Sequence, residues 1–312
     1  MLPSNSGQDQ PRAATTLIRC GWYLFIAVLL FGLQWMHFPA NFRNLPPYIL
    51  DSVEVHNIGW NLAHGRGYRF DWDAPGFRRL YETQNAEGIY NRSLARHGSY
   101  ATLSRPPLMP LLVAGCTLIF SDGNVFEAWR ILDMILCAAA GSLLCAAAVD
   151  CAGRLAGAFV LIAFWYDPIR WMYVPGWWTE GLAFDLLSVL CWLLVNGRRW
   201  NRSVSAYRIL TGVTLGLLCQ DRSVFVLTIP AVCFLFAFAE QPISCGWRRR
   251  ARSAVLIGVI AVMIQLPWWA RNVVAAGSFL PLGTQGGFNL PDEYGDAAVR
   301  DRGVWSGEGM RD

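Results

Sequence analysis

Apolar residues lie along the chain in blocks, with polar stretches between them. Leu17–Phe38, Ala128–Val149, Leu155–Trp165, Gly181–Val195, Ile209–Cys219, Val224–Ala239 and Ala254–Trp269 are nearly free of charge. Several approach the ~20 residues with which a helix spans a bilayer. A further run, Pro106–Phe120, is shorter and opens on Pro106, Pro107 and Pro110. Such a run can enter the bilayer without crossing it, provided protein covers its backbone. Two polar regions, Ala40–Ser104 and Arg271–Asp312, interrupt the series. The pattern predicts an all-α polytopic membrane protein. It has about seven transmembrane helices, a re-entrant or interfacial helix and a large first external loop.

Charge orients these elements. Arg12 precedes the first block and Arg19 lies at its start; Arg198, Arg199 and Arg202 form one later basic loop, and Arg248, Arg249, Arg250 and Arg252 form another. All three belong on the cytoplasmic side, where Arg accumulates in short loops. The loop Ala40–Ser104 is too long for that rule to bind and is placed outside. The expected organisation is a cytoplasmic tail 1–16, a first transmembrane helix 17–39 and an external loop 40–104. Residues 105–270 hold the re-entrant segment and remaining helices, and 271–312 an external C-terminal segment. The first block is longer than the core of a signal peptide and follows a long polar tail, so it reads as an uncleaved span. By parity, Asp51, Arg105, Glu180, Asp221, Arg222 and Arg271 all reach the outer interface.

Composition agrees. The 312 residues are 54% hydrophobic and only 15% charged, and mean hydropathy stays at +0.31 because the two polar regions dilute the blocks. Lys is absent, so no retinal-type Schiff base is available despite the expected seven spans. The nine Cys fall in or beside the apolar blocks without a CxxC pair. A disulfide framework in the external loops is therefore excluded, and buried Cys act as small hydrophobes.

Four stretches carry a family resemblance. Asp51-Ser52-Val53-Glu54-Val55, then Gly59-Trp60-Asn61-Leu62-Ala63-His64-Gly65-Arg66-Gly67-Tyr68, resembles the first external loop of polyprenyl-phosphate-dependent glycosyltransferases of the C-type fold. That family includes protein mannosyltransferases and aminoarabinose transferases. Ser104-Arg105-Pro106-Pro107-Leu108-Met109-Pro110 resembles its basic-Pro-Pro segment. Thr179-Glu180 resembles its acidic residue at the outer end of a span. Pro267-Trp268-Trp269-Ala270-Arg271-Asn272, followed by Pro281 to Leu290, resembles its Pro-Trp-x-x-Arg-Asn and Gly-Gly-x-Asn segments. The resemblance covers Leu17 to Leu290. Ser52 stands where relatives often have a second acid, and Ser104 where some place a metal-binding Glu. Relatives also continue through further spans, so a truncated product, a fragment and a minimal member are alternatives.

The resemblance implies an inverting glycosyltransferase of the cell envelope, acting at the external face of a membrane, most simply the cytoplasmic membrane of a bacterium. The donor is a polyprenyl-phosphate sugar and the acceptor a lipid, glycan or protein hydroxyl; nucleic acid has no part. The resemblance fixes no cofactor, and a divalent cation stays open. Asp51 becomes the general base that takes the acceptor proton. Read from the residues alone, it equally suits an N-cap before Val55–Leu62. Arg105, Arg222 and Arg271 become the donor-phosphate grip, since Arg binds phosphate through paired N–H groups; interfacial snorkelling is the alternative for each. Glu180 joins Asp51 as a catalytic candidate, by acceptor contact or metal binding, or else caps its helix. Trp177, Trp178, Trp268 and Trp269 suit an interfacial aromatic belt. His56, His64 and His97 lack metal-ligand spacing and read as surface or packing residues. A catalytically inactive lipid-phosphate-binding or scaffold protein on the same fold is the rival function.

Overall fold

The computed structural model describes residues 10–38, 45–47, 50–120, 124–166, 179–196, 204–238 and 247–284. Its helices are α1 (Gln10–His37), α2 (Leu50–Ala63), α3 (Pro75–Glu82), α4 (Asn91–Leu94), α5 (Leu108–Ile119), α6 (Val125–Ala152), α7 (Arg154–Tyr166), α8 (Thr179–Asn196), α9 (Val204–Asp221), α10 (Thr228–Phe238) and α11 (Trp247–Ala276). A 3₁₀ turn, Ser223–Leu227, joins α9 to α10. Strands β1 (Arg69–Asp71) and β2 (Ser99–Ala101) form one antiparallel ribbon, with Arg69 opposite Ala101 and Asp71 opposite Ser99. The expected all-α class therefore holds for the bulk of the chain, with a short ribbon added inside the first polar loop.

Among the described residues, four helices are long and apolar enough to cross a membrane: Arg19–His37, Val125–Ala152, Thr179–Asn196 and Trp247–Ala276. The expected seven do not all reach that length. Helix α7 is described over 13 residues, which is about 20 Å at 1.5 Å per residue. Together, α10 and its 3₁₀ turn form another short apolar piece. Helix α9 is 18 residues long but carries Arg208, Thr211, Thr214, Gln220 and Asp221. The outward faces are apolar: Leu24 is 67% exposed, Leu155 87% and Met263 59%. Side chains of this kind belong against lipid, which makes this an integral membrane protein.

The chain divides into two compact units, each built from two stretches. The first holds Met1–Leu45 and Gly123–Tyr207. In it α6 packs against α1, α7 and α8. Small residues on α6 permit the approach: a side chain at Gly141 would run into Phe164 and Leu30. Those two join Cys137 and Ala138 in one apolar cluster. Arg130 is buried on α6, where its Nη2 donates to the Leu45 carbonyl at 2.5 Å and its guanidinium lies over the Phe38 ring. The second unit holds Pro46–Asp122 and Arg208–Asp312. In it α9 lies against α11 with Gly212 and Gly216 facing Ile260 and Ile264. Gln220 donates to the Ile264 carbonyl, and Gln265 to that of Gly216. These bonds engage the two amide N–H groups between helices, where an unpaired donor is costly.

Candidate functional site

Helix α2 carries the first half of the site, and it is built against the usual grain. Ser52, His56, Asn57 and Asn61 are buried, together with Val53, Val55, Ile58 and Trp60. Both faces are thus covered, and the polar residues need partners. Asn57 supplies a complete amide to β1: its Oδ1 accepts from Asp71 N–H at 2.9 Å and its Nδ2 donates to the Asp71 carbonyl at 3.1 Å. It thereby takes the place of a third strand on the ribbon. Asn61 Nδ2 donates to Asn57 Oδ1 at 3.0 Å. The other flank of α2 meets α5, where Gly59 is required because a Cβ there would meet Val113 and the Pro110 carbonyl. After α2 the chain turns through Gly65 and Gly67, both at positive φ, a conformation that suits glycine.

An aromatic core fixes the ribbon to α2. Val53, Ile58, Trp60, Phe70, Trp72, Phe77, Tyr81 and Tyr90 are buried together. His56 lies among them, with Nδ1 2.6 Å from the Tyr81 hydroxyl. Burial disfavours the imidazolium and pushes the His56 pKa down to about 3. The expectation that His56 is a packing residue agrees with this placement. Arg78 donates to the carbonyls of Trp72, Leu94 and Arg96 and so clamps the turn between α3 and β2. Outside it, His97 bonds Asp73 at 2.7 Å. That bond, with the Gly98 N–H, holds the Asp73 carboxyl below the usual range.

Four charged side chains meet where α2 begins. Asp51 lies in the first turn of α2 rather than before it, so it is not the N-cap; the helix starts at Leu50. Arg105 grips it with both terminal nitrogens, Nη2 to Oδ1 at 2.6 Å and Nη1 to Oδ2 at 3.2 Å. Glu54 is three residues on and on the same helix face. Its Oε2 accepts from Arg105 Nε at 2.8 Å and lies 2.6 Å from Nη2 as an ion pair. Its Oε1 accepts from Arg96 Nη1 at 2.6 Å. The Arg105 and Glu54 side chains are 11% and 12% exposed, whereas Asp51 is 49% exposed. Burial works against the Arg105 charge, yet the Glu54 and Asp51 carboxylates outweigh it and raise the pKa of Arg105 above its ordinary value. Two acids thus face two arginines, and Arg105 donates three hydrogen bonds to carboxylates.

Arg271, on α11, is held differently. Nη1 donates to the Thr102 carbonyl at 2.5 Å and Nη2 to that of Tyr68 at 3.0 Å. Nη1 also reaches Asn272 Oδ1 at 3.3 Å. The guanidinium lies 4.9 Å from the Tyr68 ring and 5.1 Å from the Trp268 ring, within cation–π range. Tyr68 links this group to the first: its hydroxyl donates to the Arg105 carbonyl at 2.6 Å. Burial of that hydroxyl raises its pKa, against the opposing fields of Arg271 and Arg105. Trp268 is buried rather than part of a lipid-facing belt.

The structure therefore brings Asp51, Arg105 and Arg271 into one connected set. Arg222 opens the 3₁₀ turn and is half-buried, and no hydrogen bond of Arg105 or Arg271 reaches it among the described residues. Glu180 lies in the other unit, in the first turn of α8, where Thr179 Oγ1 donates to it at 3.3 Å. Ser104 pairs its hydroxyl with that of Thr102 at 2.9 Å. Trp177, Trp178 and Gln285–Leu290 lie outside the described residues. Among the described residues, no three His, Cys, Asp or Glu side chains converge as a metal site would require. Sequence reasoning passed over Glu54, Arg96 and Tyr68. Glu54 had a signal, its three-residue spacing from Asp51; Arg96, 42 positions from Glu54, had none. No family model, curated protein or solved structure matches the chain.

Proposed function

We propose that this protein is an integral membrane glycosyltransferase that moves a sugar from a polyprenyl phosphate to an acceptor hydroxyl. The observation that carries the reading is the half-exposed Asp51 carboxylate, held by Arg105 and connected through Tyr68 to Arg271. Each Asp51 oxygen accepts one bond from Arg105 and keeps a further lone pair. An acceptor hydroxyl can therefore donate its proton to Asp51 without displacing Arg105. As the acceptor oxygen bonds the anomeric carbon, the bond from that carbon to the phosphate oxygen breaks. The configuration inverts, and the lipid phosphate leaves with the electron pair.

The departing phosphate needs a cation that is not already neutralised. In this reading Arg271 supplies it. Its named partners are carbonyls, an amide oxygen and two aromatic faces, which leaves Nε–H and one Nη2–H for an anion. The buried Trp268 indole N–H beside it also makes no hydrogen bond among the described residues. Arg105 contributes by orienting Asp51 rather than by gripping phosphate directly. Glu180 and Arg222 remain in the proposal on the resemblance alone. An external position for the loop completes it: a reporter fused after Gly88 should be external, and one after Arg250 cytoplasmic.

The test is transfer of labelled sugar from synthetic polyprenyl-phosphate sugars by the purified chain in detergent. Product with inverted configuration is expected. The Asp51–Arg105 pair also suits the rival reading, because a satisfied ion pair is what a static scaffold would hold. Saturable binding of a polyprenyl phosphate without transfer from any donor would favour that rival.

A further inference from the structure

Two carboxylates sit one turn apart on α2, and their surroundings divide the work between them. Glu54 is largely covered, its side chain 12% exposed, and has both oxygens engaged, Oε2 by Arg105 and Oε1 by Arg96. Asp51 is half-exposed and is held from one side only. From this we infer that Glu54 and Arg96 are positioning residues, which fix the Arg105 guanidinium so that its terminal edge orients Asp51. The inference rests on the proposed role of Asp51 and adds to it how the carboxylate is aimed.

A long arginine side chain bonded only to a half-exposed carboxylate samples many geometries, and exposed pairs of that kind are weak. Glu54 removes the freedom. By accepting from Nε and standing 2.6 Å from Nη2, it sets the plane of the guanidinium. A guanidinium fixed in plane offers Nη1 and Nη2 to Asp51 along one direction, as a planar fork does. Glu54 in turn is held at its other oxygen by Arg96, whose guanidinium lies 5.1 Å from the Trp72 ring in the aromatic core. Orientation is therefore carried from the aromatic core through Arg96, Glu54 and Arg105 to Asp51. The charges balance along the way, so Glu54 needs no further cation and has no role in proton transfer.

The experiment uses the full chain in detergent with Arg96→Gln, Arg96→Lys and Glu54→Gln. One arm measures steady-state transfer of labelled sugar. Arg96→Gln and Glu54→Gln are expected to lower kcat by about tenfold, with KM for the donor unchanged, as misplacement of a reacting group does. Arg96→Lys keeps a charge on Glu54 Oε1 and is expected to retain most of kcat, a rescue that lost packing alone would not give. The other arm needs no transfer. Carbodiimide coupling of a labelled amine, read by peptide mass spectrometry, reports how freely Asp51 reacts, with exposed Glu87 as the reference. Severalfold more label at Asp51 is expected in both Gln variants, with Arg96→Lys like wild type. Unchanged labelling, or raised labelling without a fall in kcat, would overturn the inference. If the wild-type chain transfers no sugar, the enzymatic reading fails, and the labelling arm still decides whether Arg96 and Glu54 position Asp51.

Discussion

Two arginines at opposite ends of the first loop's partner segments are held in opposite ways. Arg105 lies against Asp51 and Glu54, its charge matched by carboxylates and its side chain buried. Arg271 lies against carbonyls, an amide and two rings, all of them neutral. The difference teaches that a buried cation's use follows from its partners rather than from its type. A cation already paired with carboxylates serves to place those carboxylates. A cation held only by dipoles and π faces keeps an unmatched charge, which is what an anionic ligand requires.

Removing each arginine should break the comparison in a different place. Arg105→Gln leaves Asp51 and the buried Glu54 short of a cation. Breaking such a pair is expected to cost about 3 kcal/mol of stability, toward the low end because Asp51 is half-exposed. Detergent melting curves would check it; an unchanged melting temperature would contradict the buried-pair account.

Acid should act on the α2 side alone. His56 is neutral in the folded protein, with its pKa pushed down to about 3, against about 6.5 when unfolded. The unfolded chain therefore binds the extra proton first as pH falls. Stability is fully present above pH ~6.5 and declines toward pH ~3, with a slope approaching ~1.4 kcal/mol per unit. Melting temperature against pH checks this, and a His56→Phe variant should show a flatter curve over the same window.

Arg271→Gln should change stability little and ligand binding more. Loss of one charge-assisted bond is expected to weaken a short-chain polyprenyl phosphate by about tenfold, or ~1.4 kcal/mol. Arg79→Gln, on the exposed face of α3, should leave the titration unchanged. Equal affinity across Arg271→Gln, Arg79→Gln and wild type would erase the distinction between the two arginines.

How much of this was legible in the sequence differs by region. The membrane class followed from apolar blocks, because few arrangements other than lipid-facing helices place Leu24, Leu155 and Met263 on a surface. The number of full-length spans did not follow, since hydropathy marks an apolar block without fixing where its helix stops. Gly153, at a φ of 88°, separates α6 from α7. In the loop, Asp51 and Arg105 were legible as candidates, but their bond joins positions 54 apart. The covering of α2's polar residues left no sign in the sequence. His56, Asn57 and Asn61 are fully buried because β1 and the aromatic core bring them partners from distant sequence. Strands of three residues are too short for alternation to show, so the ribbon left no pattern.

The central claim is that Asp51 is the working base while Arg105 and its neighbours only aim it. Asp51→Asn tests it most directly, since the amide keeps the shape and removes the proton acceptor. Turnover of a labelled polyprenyl-phosphate sugar by the purified variant is expected to fall by about two orders of magnitude, the usual worth of a positioned general base. Melting behaviour and polyprenyl-phosphate binding should stay close to wild type. Wild-type turnover by Asp51→Asn would contradict the account.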